Sequence, residues 1–237
     1  MVKINNNDFI EIDYTGKSDG KIFDTTNPKD AKELGIPEPE KVKPLIISVG
    51  NDMLLKGLDE DIKNKEVGKS YSLTLTPEKA FGKRNPKLLK IYSINNFRKQ
   101  NINPYPGMAL QLDNTVAKVL SVSGGRVIMD FNNPMAGKEV EYNYKILKKI
   151  TDDKEKINAL QDFFFKQRFD FELKDKKVIF NEQNLMPFLQ MMAPKFKEIT
   201  GLTFEIFTKK KTSKKESVKK DDSKKEEKKE TNTEKQQ

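Results

Sequence analysis

Neither cysteine nor histidine occurs anywhere in the 237 residues. Without cysteine there is no disulfide, no thiolate nucleophile and no Cys-ligated metal. Without histidine there is no His-containing catalytic triad, no imidazole-held metal and no ordinary proton shuttle near neutral pH. Any catalysis has to rest on carboxylates, Lys, Tyr, or on binding and electrostatics alone, and no metal or cofactor is expected. Long apolar runs are missing too. Nothing approaches the ~18 residues of a membrane-crossing helix, and no charged-then-apolar leader opens the chain. A soluble, unexported, cytoplasmic protein with no membrane partner is expected.

What the chain has in quantity is charge. Charged residues make up 34% and apolar residues 35%, which suits a folded body carrying a very polar segment. The net charge of +9 is unevenly placed. In residues 209–237, 12 Lys stand against 7 acids, so this stretch carries +5 of the total. Val218 is almost its only apolar residue, so a disordered Lys/Glu-rich tail is predicted. It reads either as a solubilising tail or as a weak electrostatic contact with RNA, ribosomes or acidic clients; the interspersed acids favour the first.

The chain is organised around residues 48–62. A Gly turn is followed by Leu54, Leu58 and Ile62 four apart, which predicts one face of a short helix widened by Leu55. Asn51 and Asp52 are its expected caps, and Asp59, Glu60 and Asp61 fall on the expected solvent side. Strand patterns flank it at 45–49 and 70–76, and 8–15 alternates with Ile10, Ile12 and Tyr14 on one face. Turns at Gly16 and Ser18-Asp19-Gly20 precede a short strand at 21–23. A proline-rich excursion over 27–44 carries one helical turn near Ala31. An apolar helix between strands packs a core or lines the pocket at the mouth of a curved sheet, and pattern alone favours the core.

After the loop Ala80-Phe81-Gly82, residues 87–131 read as a small unit of their own. Strands are predicted at 88–92, 108–112, 116–122 and 126–131, with a Ser93-capped helical turn and hairpin turns at Asp113-Asn114 and Ser123-Gly124-Gly125. Residues 138–150 alternate cleanly, with Val140, Tyr142, Tyr144 and Ile146 on one face. A third unit over 151–208 reads as α+β: a helix at 153–164, a hairpin from 168 to 180, a helix at 182–199 interrupted by Pro187 and Pro194, and a closing strand. Phe163, Phe164, Phe165, Phe188, Met191 and Met192 make it rich in large apolar groups, for a core or for a homodimer surface.

The pieces in this order carry a resemblance. Ile12-Asp13-Tyr14-Thr15-Gly16, Ile22-Phe23-Asp24-Thr25-Thr26, Val49-Gly50 with Leu54-Leu55-Lys56-Gly57-Leu58, Val67-Gly68 and Ala80-Phe81-Gly82 resemble the FKBP-type peptidyl-prolyl isomerases. The insert, resuming at Asn132-Asn133-Pro134-Met135-Ala136-Gly137-Lys138, looks like the SlyD-like branch and its insert-in-flap chaperone domain. The third unit looks like that of the longer archaeal members. The resemblance implies an α+β fold in which an antiparallel half-barrel wraps a short helix. That domain spans 1–86 and 132–150, with an inserted β-rich domain at 87–131 and a C-terminal α+β domain at 151–208.

It further implies prolyl isomerisation in an apolar basin whose matching positions are Tyr14, Phe23, Asp24, Ile47, Leu54, Leu55, Leu58, Phe81 and Tyr142. Leu58 stands where drug-binding members commonly have Trp, and Phe81 where a Tyr is usual. Asp24 would present its carboxylate beside the imide carbonyl carbon or hold a neighbouring side chain, with a turn cap as its plain structural reading. Unfolded or partly folded proteins with X–Pro bonds are the expected partners. Leu89, Ile91, Met108, Leu110, Val119 and Ile128 of the insert are the expected client-binding residues, unless they form the insert's own core. A binding module without turnover and an RNA- or ribosome-associated scaffold are the competing functions.

Overall fold

In the computed structural model, residues 3–112 and 115–206 are described. The turn expected at Asp113-Asn114 and the polar tail of 209–237 lie outside the described residues. The first half of the chain alternates apolar and polar residues, and the strands follow that period. β1 (Phe9–Ser18), β2 (Lys21–Thr25), α1 (Pro28–Glu33), β3 (Leu45–Ser48), α2 (Lys56–Ile62) and β4 (Ser70–Leu75) come first. The insert follows with β5 (Leu89–Ser93), α3 (Ile94–Arg98), β6 (Ala109–Leu112), β7 (Thr115–Ser123) and β8 (Arg126–Asp130). Then come β9 (Val140–Ile150), α4 (Asp153–Phe164), β10 (Phe171–Lys174), β11 (Lys177–Phe180), α5 (Met186–Thr200) and β12 (Thr203–Ile206).

The fold is mixed α+β with largely antiparallel sheets. The strands of the first sheet run in the order β2-β1-β9-β4, with β3 paired to the start of β1, all antiparallel. Its inner face carries Ile10, Ile12, Tyr144, Ile146 and Leu75, packed in one cluster with Leu58 and Ile62 of α2. The insert sheet, β5-β8-β7-β6, has a separate small core of Phe97, Ala117, Val119, Val127 and Met129. Ser93 caps α3 as its position predicts, its hydroxyl accepting from the Asn95 N–H.

In the last sheet, β10-β11-β12, the β11–β12 pair is parallel, joined through α5. Ile157, Leu160, Phe180, Phe196 and Phe204 from this region belong to the same apolar cluster as the first sheet. The C-terminal elements therefore share a core with the sheet instead of forming a detached one. Phe163, Phe164, Phe165, Phe188 and Met192 pack partly buried against it, and Met191 is left exposed. Pro187 does not interrupt α5 but opens it, where no N–H is needed; Pro194 lies inside the helix.

Four expectations need correcting. Gly16 marks no turn but lies within β1, paired on both sides. α2 starts only at Lys56, so Leu54 and Leu55 precede the helix, and its N-terminus has no side-chain cap. Asn51 turns back instead, its amide donating to Asn7 Oδ1, Ser48 Oγ and the Val49 carbonyl at 2.9–3.2 Å. Asp59 is buried, not solvent-facing: its Oδ1 accepts the Gly50 N–H at 2.8 Å. A helix of seven residues, nearly enclosed by the sheet and the preceding loop, has little free face to give to three acids.

Candidate functional site

The site begins with a break in strand register. Opposite Gly16, β2 presents Asp24, but opposite Lys17 it presents Ile22, so Phe23 is the extra residue of a bulge. Bulges re-aim side chains, and here the Phe23 ring packs edge-on to Phe81 (centroids 5.6 Å, 77°) and to Tyr142 (5.9 Å, 90°). Gly16 makes room for this. A Cβ there would stand 2.9 Å from Phe23 Cζ and 3.0 Å from Tyr142 Cε1. Tyr14, two residues before Gly16 on β1, tilts against Tyr142 at 5.7 Å.

These rings wall a cavity of about 280 Å³ lined by Tyr14, Asp24, Leu45, Asp52, Met53, Leu54, Leu55, Leu58, Phe81 and Tyr142. Leu58, fully buried at the start of α2, is its floor. Leu54 and Leu55 come from the loop between β3 and α2, a loop held by the Gly50–Asp59 hydrogen bond. The Tyr14 hydroxyl donates to Asp24 Oδ2 at 3.1 Å. Burial first, and the neighbouring Asp24 carboxylate second, push the Tyr14 and Tyr142 phenols well above the usual tyrosine range. Both stay protonated. Among the described residues, no hydrogen-bond partner engages the Tyr142 hydroxyl.

Of the nine predicted basin residues, seven line the cavity: Tyr14, Asp24, Leu54, Leu55, Leu58, Phe81 and Tyr142. Phe23 backs it through Phe81 and Tyr142. Ile47 differs. It is fully buried on β3 opposite Ile10 and supports the floor from behind, offering no surface to a ligand. Leu45, Asp52 and Met53 were missed. Leu45 shares the face of Ile47 two residues along β3, a period-two signal that points to it. Asp52 sits at φ +57° in a turn, and Met53 accepts the Ser48 N–H on sulfur; neither has a periodic signature.

In the insert, Leu89 and Ile91 are exposed and Ile128, paired to Ile91, is half-buried on the same outer face. Val119 is a correction: it is fully buried in the insert core, and Met108 and Leu110 pack against that core. The exposed apolar residues of β7 are instead Val116 and Leu120. Leu120 is turned out by a bulge, since Val119 faces Met129 while Ser121 already faces Ile128.

The arrangement is an aromatic-walled basin with an apolar floor and a polar rim of Tyr14, Asp24 and Tyr142. Among the described residues no helix is long and apolar enough to cross a membrane. The family model for the FKBP-type peptidyl-prolyl cis-trans isomerase matches residues 2–93, and that for the FKBP26 IF domain matches 90–135. A short-type peptidyl-prolyl cis-trans isomerase of Methanocaldococcus jannaschii is 33% identical over 144 residues, covering 60% of this chain and 92% of its own length. The FKBP-type peptidyl-prolyl cis-trans isomerase SlyD of Treponema pallidum is 27% identical over 159 residues, covering 64% and 82%. The FKBP-type 16 kDa isomerase of Escherichia coli K12 is 25% identical over 132 residues, covering 54% and 83%. The chain belongs to the FKBP-type peptidyl-prolyl cis-trans isomerases and is an enzyme of that class.

Proposed function

We propose that this chain accelerates X–Pro isomerisation in folding proteins at the basin over Leu58, while the insert holds the client. The observation that carries the reading is the cavity itself: apolar floor, aromatic walls and a polar rim of two protonated tyrosines and Asp24. Its volume of about 280 Å³ lies just below the ~300–1,000 Å³ of drug-sized sites, which suits a proline and little more.

Rotation about an X–Pro bond faces ~18–20 kcal/mol and takes tens to hundreds of seconds uncatalysed. Lowering that barrier by ~4 kcal/mol accelerates it about a thousandfold. One preorganised hydrogen bond is worth roughly 3–4 kcal/mol in an enclosed site, so neither nucleophile nor metal is required. In this reading Leu54, Leu55, Leu58 and Phe81 hold the proline ring, with Phe23 behind Phe81. The planar amide is stabilised by charge separation, which an apolar surrounding favours less than water does. Tyr142, with its proton uncommitted, donates to the imide carbonyl as the bond twists. Asp24 accepts the Tyr14 hydroxyl's hydrogen bond and so fixes that ring against Tyr142; it positions a neighbour instead of facing the carbonyl carbon.

The proposed units are the isomerase domain at 1–86 and 132–150, the insert at 87–131 and the C-terminal region at 151–208, in a cytoplasmic protein whose partners are unfolded chains with X–Pro bonds. The clients would lie on the outer face carrying Leu89, Ile91, Val116, Leu120 and Ile128. Exchange NMR on a proline peptide tests the basin: wild type should speed interconversion, and Asp24→Leu should lose most of that while its circular dichroism stays native. Binding without acceleration would make the protein a binding module. Deleting 88–131 should spare the peptide reaction and sharply slow catalysed refolding of a whole protein.

A further inference from the structure

The chain leaves the first sheet for the insert and returns within two short segments, and these are stitched to each other. The Gly137 N–H donates to the Gly82 carbonyl at 2.8 Å and the Phe131 N–H to the Leu88 carbonyl at 3.0 Å. Between them, the Asn132 side chain behaves as a strand partner for Asn85. Its Oδ1 accepts the Asn85 N–H at 2.8 Å, and its Nδ2 donates to the Asn85 carbonyl at 3.1 Å. Asp130, the last residue of β8, holds Asn132 in place by accepting its backbone N–H (2.9 Å) and its Nδ2 (2.8 Å) on Oδ1. Its other oxygen takes Arg84. Gly137, at φ +77°, lies so close that a Cβ would meet Arg84 Cγ at 3.0 Å.

Asp130 is only 6% exposed. Burial alone would raise its pKa, but Asn132 and Arg84 together outweigh that and hold the carboxyl below its usual range. Desolvating the Asp130 carboxylate is costly, and a partner as exposed as Arg84, at 48%, returns little net stability. Net stability is therefore a poor reason for building the joint from charge. What charge and a bidentate amide supply is one defined geometry. The joint is also well placed to transmit it: Arg84 lies three residues after Phe81 of the basin wall and five before Leu89 of the outer insert face.

We infer that Asp130 is a positioning residue: with Arg84, Asn85 and Asn132 it locks the insert at one angle to the basin, so that a client held on the insert presents its X–Pro bond to Tyr142. This deepens the proposed division of labour and rests on it. A locked insert keeps the client's prolines at high effective concentration over the basin, whereas a swinging one spreads them over a larger volume.

The test uses the full chain, with Lys29→Cys and Ser123→Cys carrying spin labels; both positions are exposed and no native cysteine interferes. Wild type should give a narrow distance distribution. Arg84→Ala and Asp130→Asn should each broaden it, leave peptide isomerisation within about twofold, and slow whole-protein refolding catalysis by ~10-fold or more. Client affinity should be unchanged, and Arg84→Lys should restore part of the rate. Arg84→Ala leaves the Asp130–Asn132 bonds intact, and so keeps the test open if Asp130→Asn unfolds the insert. An unchanged distance distribution in both variants would overturn the joint. A broadened distribution with an unchanged refolding rate would overturn its role in delivery. If deleting 88–131 leaves refolding catalysis intact, the insert-holding reading fails and the delivery role falls with it, while the distance distributions still decide the joint.

Discussion

Gly16→Ala is the most informative single perturbation of the basin. The added Cβ would stand 2.9 Å from Phe23 Cζ and 3.0–3.1 Å from Tyr142 Cε1 and Cζ. Ordinary carbon contacts lie at ~3.5–4.0 Å, so both rings must retreat by roughly 0.5–1 Å. Overpacking a closed core costs ~1–3 kcal/mol. Here the rings border a cavity and yield into it, which puts the stability cost at the low end, about 1 kcal/mol or ~2–4 °C in Tm for a chain of this size. Activity suffers more. Misplacement of ~1 Å at a reacting centre costs up to ~100-fold, so kcat/KM for a proline peptide should fall ~10- to 100-fold while Tm barely moves. Exchange NMR and a thermal melt on one preparation give both values. Phe23→Leu, which shortens one of the clashing rings, should recover part of the loss in the Gly16→Ala background, a coupling that a double-mutant cycle measures. Wild-type kcat/KM in Gly16→Ala would refute the idea that Phe23 and Tyr142 form the working wall.

Three further outcomes follow from the hydrogen bonds. Tyr14→Phe and Asp24→Asn should each slow peptide turnover, and the double variant should be no slower than the worse single one, because the hydroxyl and the carboxylate act as a unit. Since burial and then Asp24 raise the Tyr14 pKa, activity should show no Tyr14-dependent fall up to pH ~10, where free tyrosine titrates; a fall abolished by Tyr14→Phe would contradict this. Asp59 works in the opposite sense from a salt-bridged carboxylate. Burial raises its pKa, partly offset by the Gly50 N–H, so folding favours its protonated form. That contribution is fully present below the unfolded value of ~3.9 and is lost as pH rises through the folded one. Asp59→Asn should thus be more resistant to urea than wild type at pH 7, with the gap closing below pH ~4; lower resistance at pH 7 would mean that the Gly50 bond outweighs desolvation.

Period-two alternation made β1, β4, β7 and β9 legible, because side-chain direction along a strand is a local property. Capping made α3 legible for the same reason: Ser93 needs only the N–H two residues on. Seven of the nine basin residues were legible through the order of short motifs, not through any one of them. The misses in the insert share a cause. Val119 and Leu120 sit at a bulge, and a bulge is decided by the partner strand, so no pattern within the strand announces which residue is re-aimed. Asp59 reads as a solvent-facing acid until the loop carrying Gly50 folds over it.

The amino-acid sequence by itself determined what chemistry is excluded, where the strands lie and which residues are apolar enough to build a basin. Only the tertiary structure decided that Gly16 lets two rings meet, that Ile47 stands behind the floor and that Arg84 reaches Asp130, 46 residues away. Local pattern governs direction along the chain, whereas closeness between distant segments is created by packing.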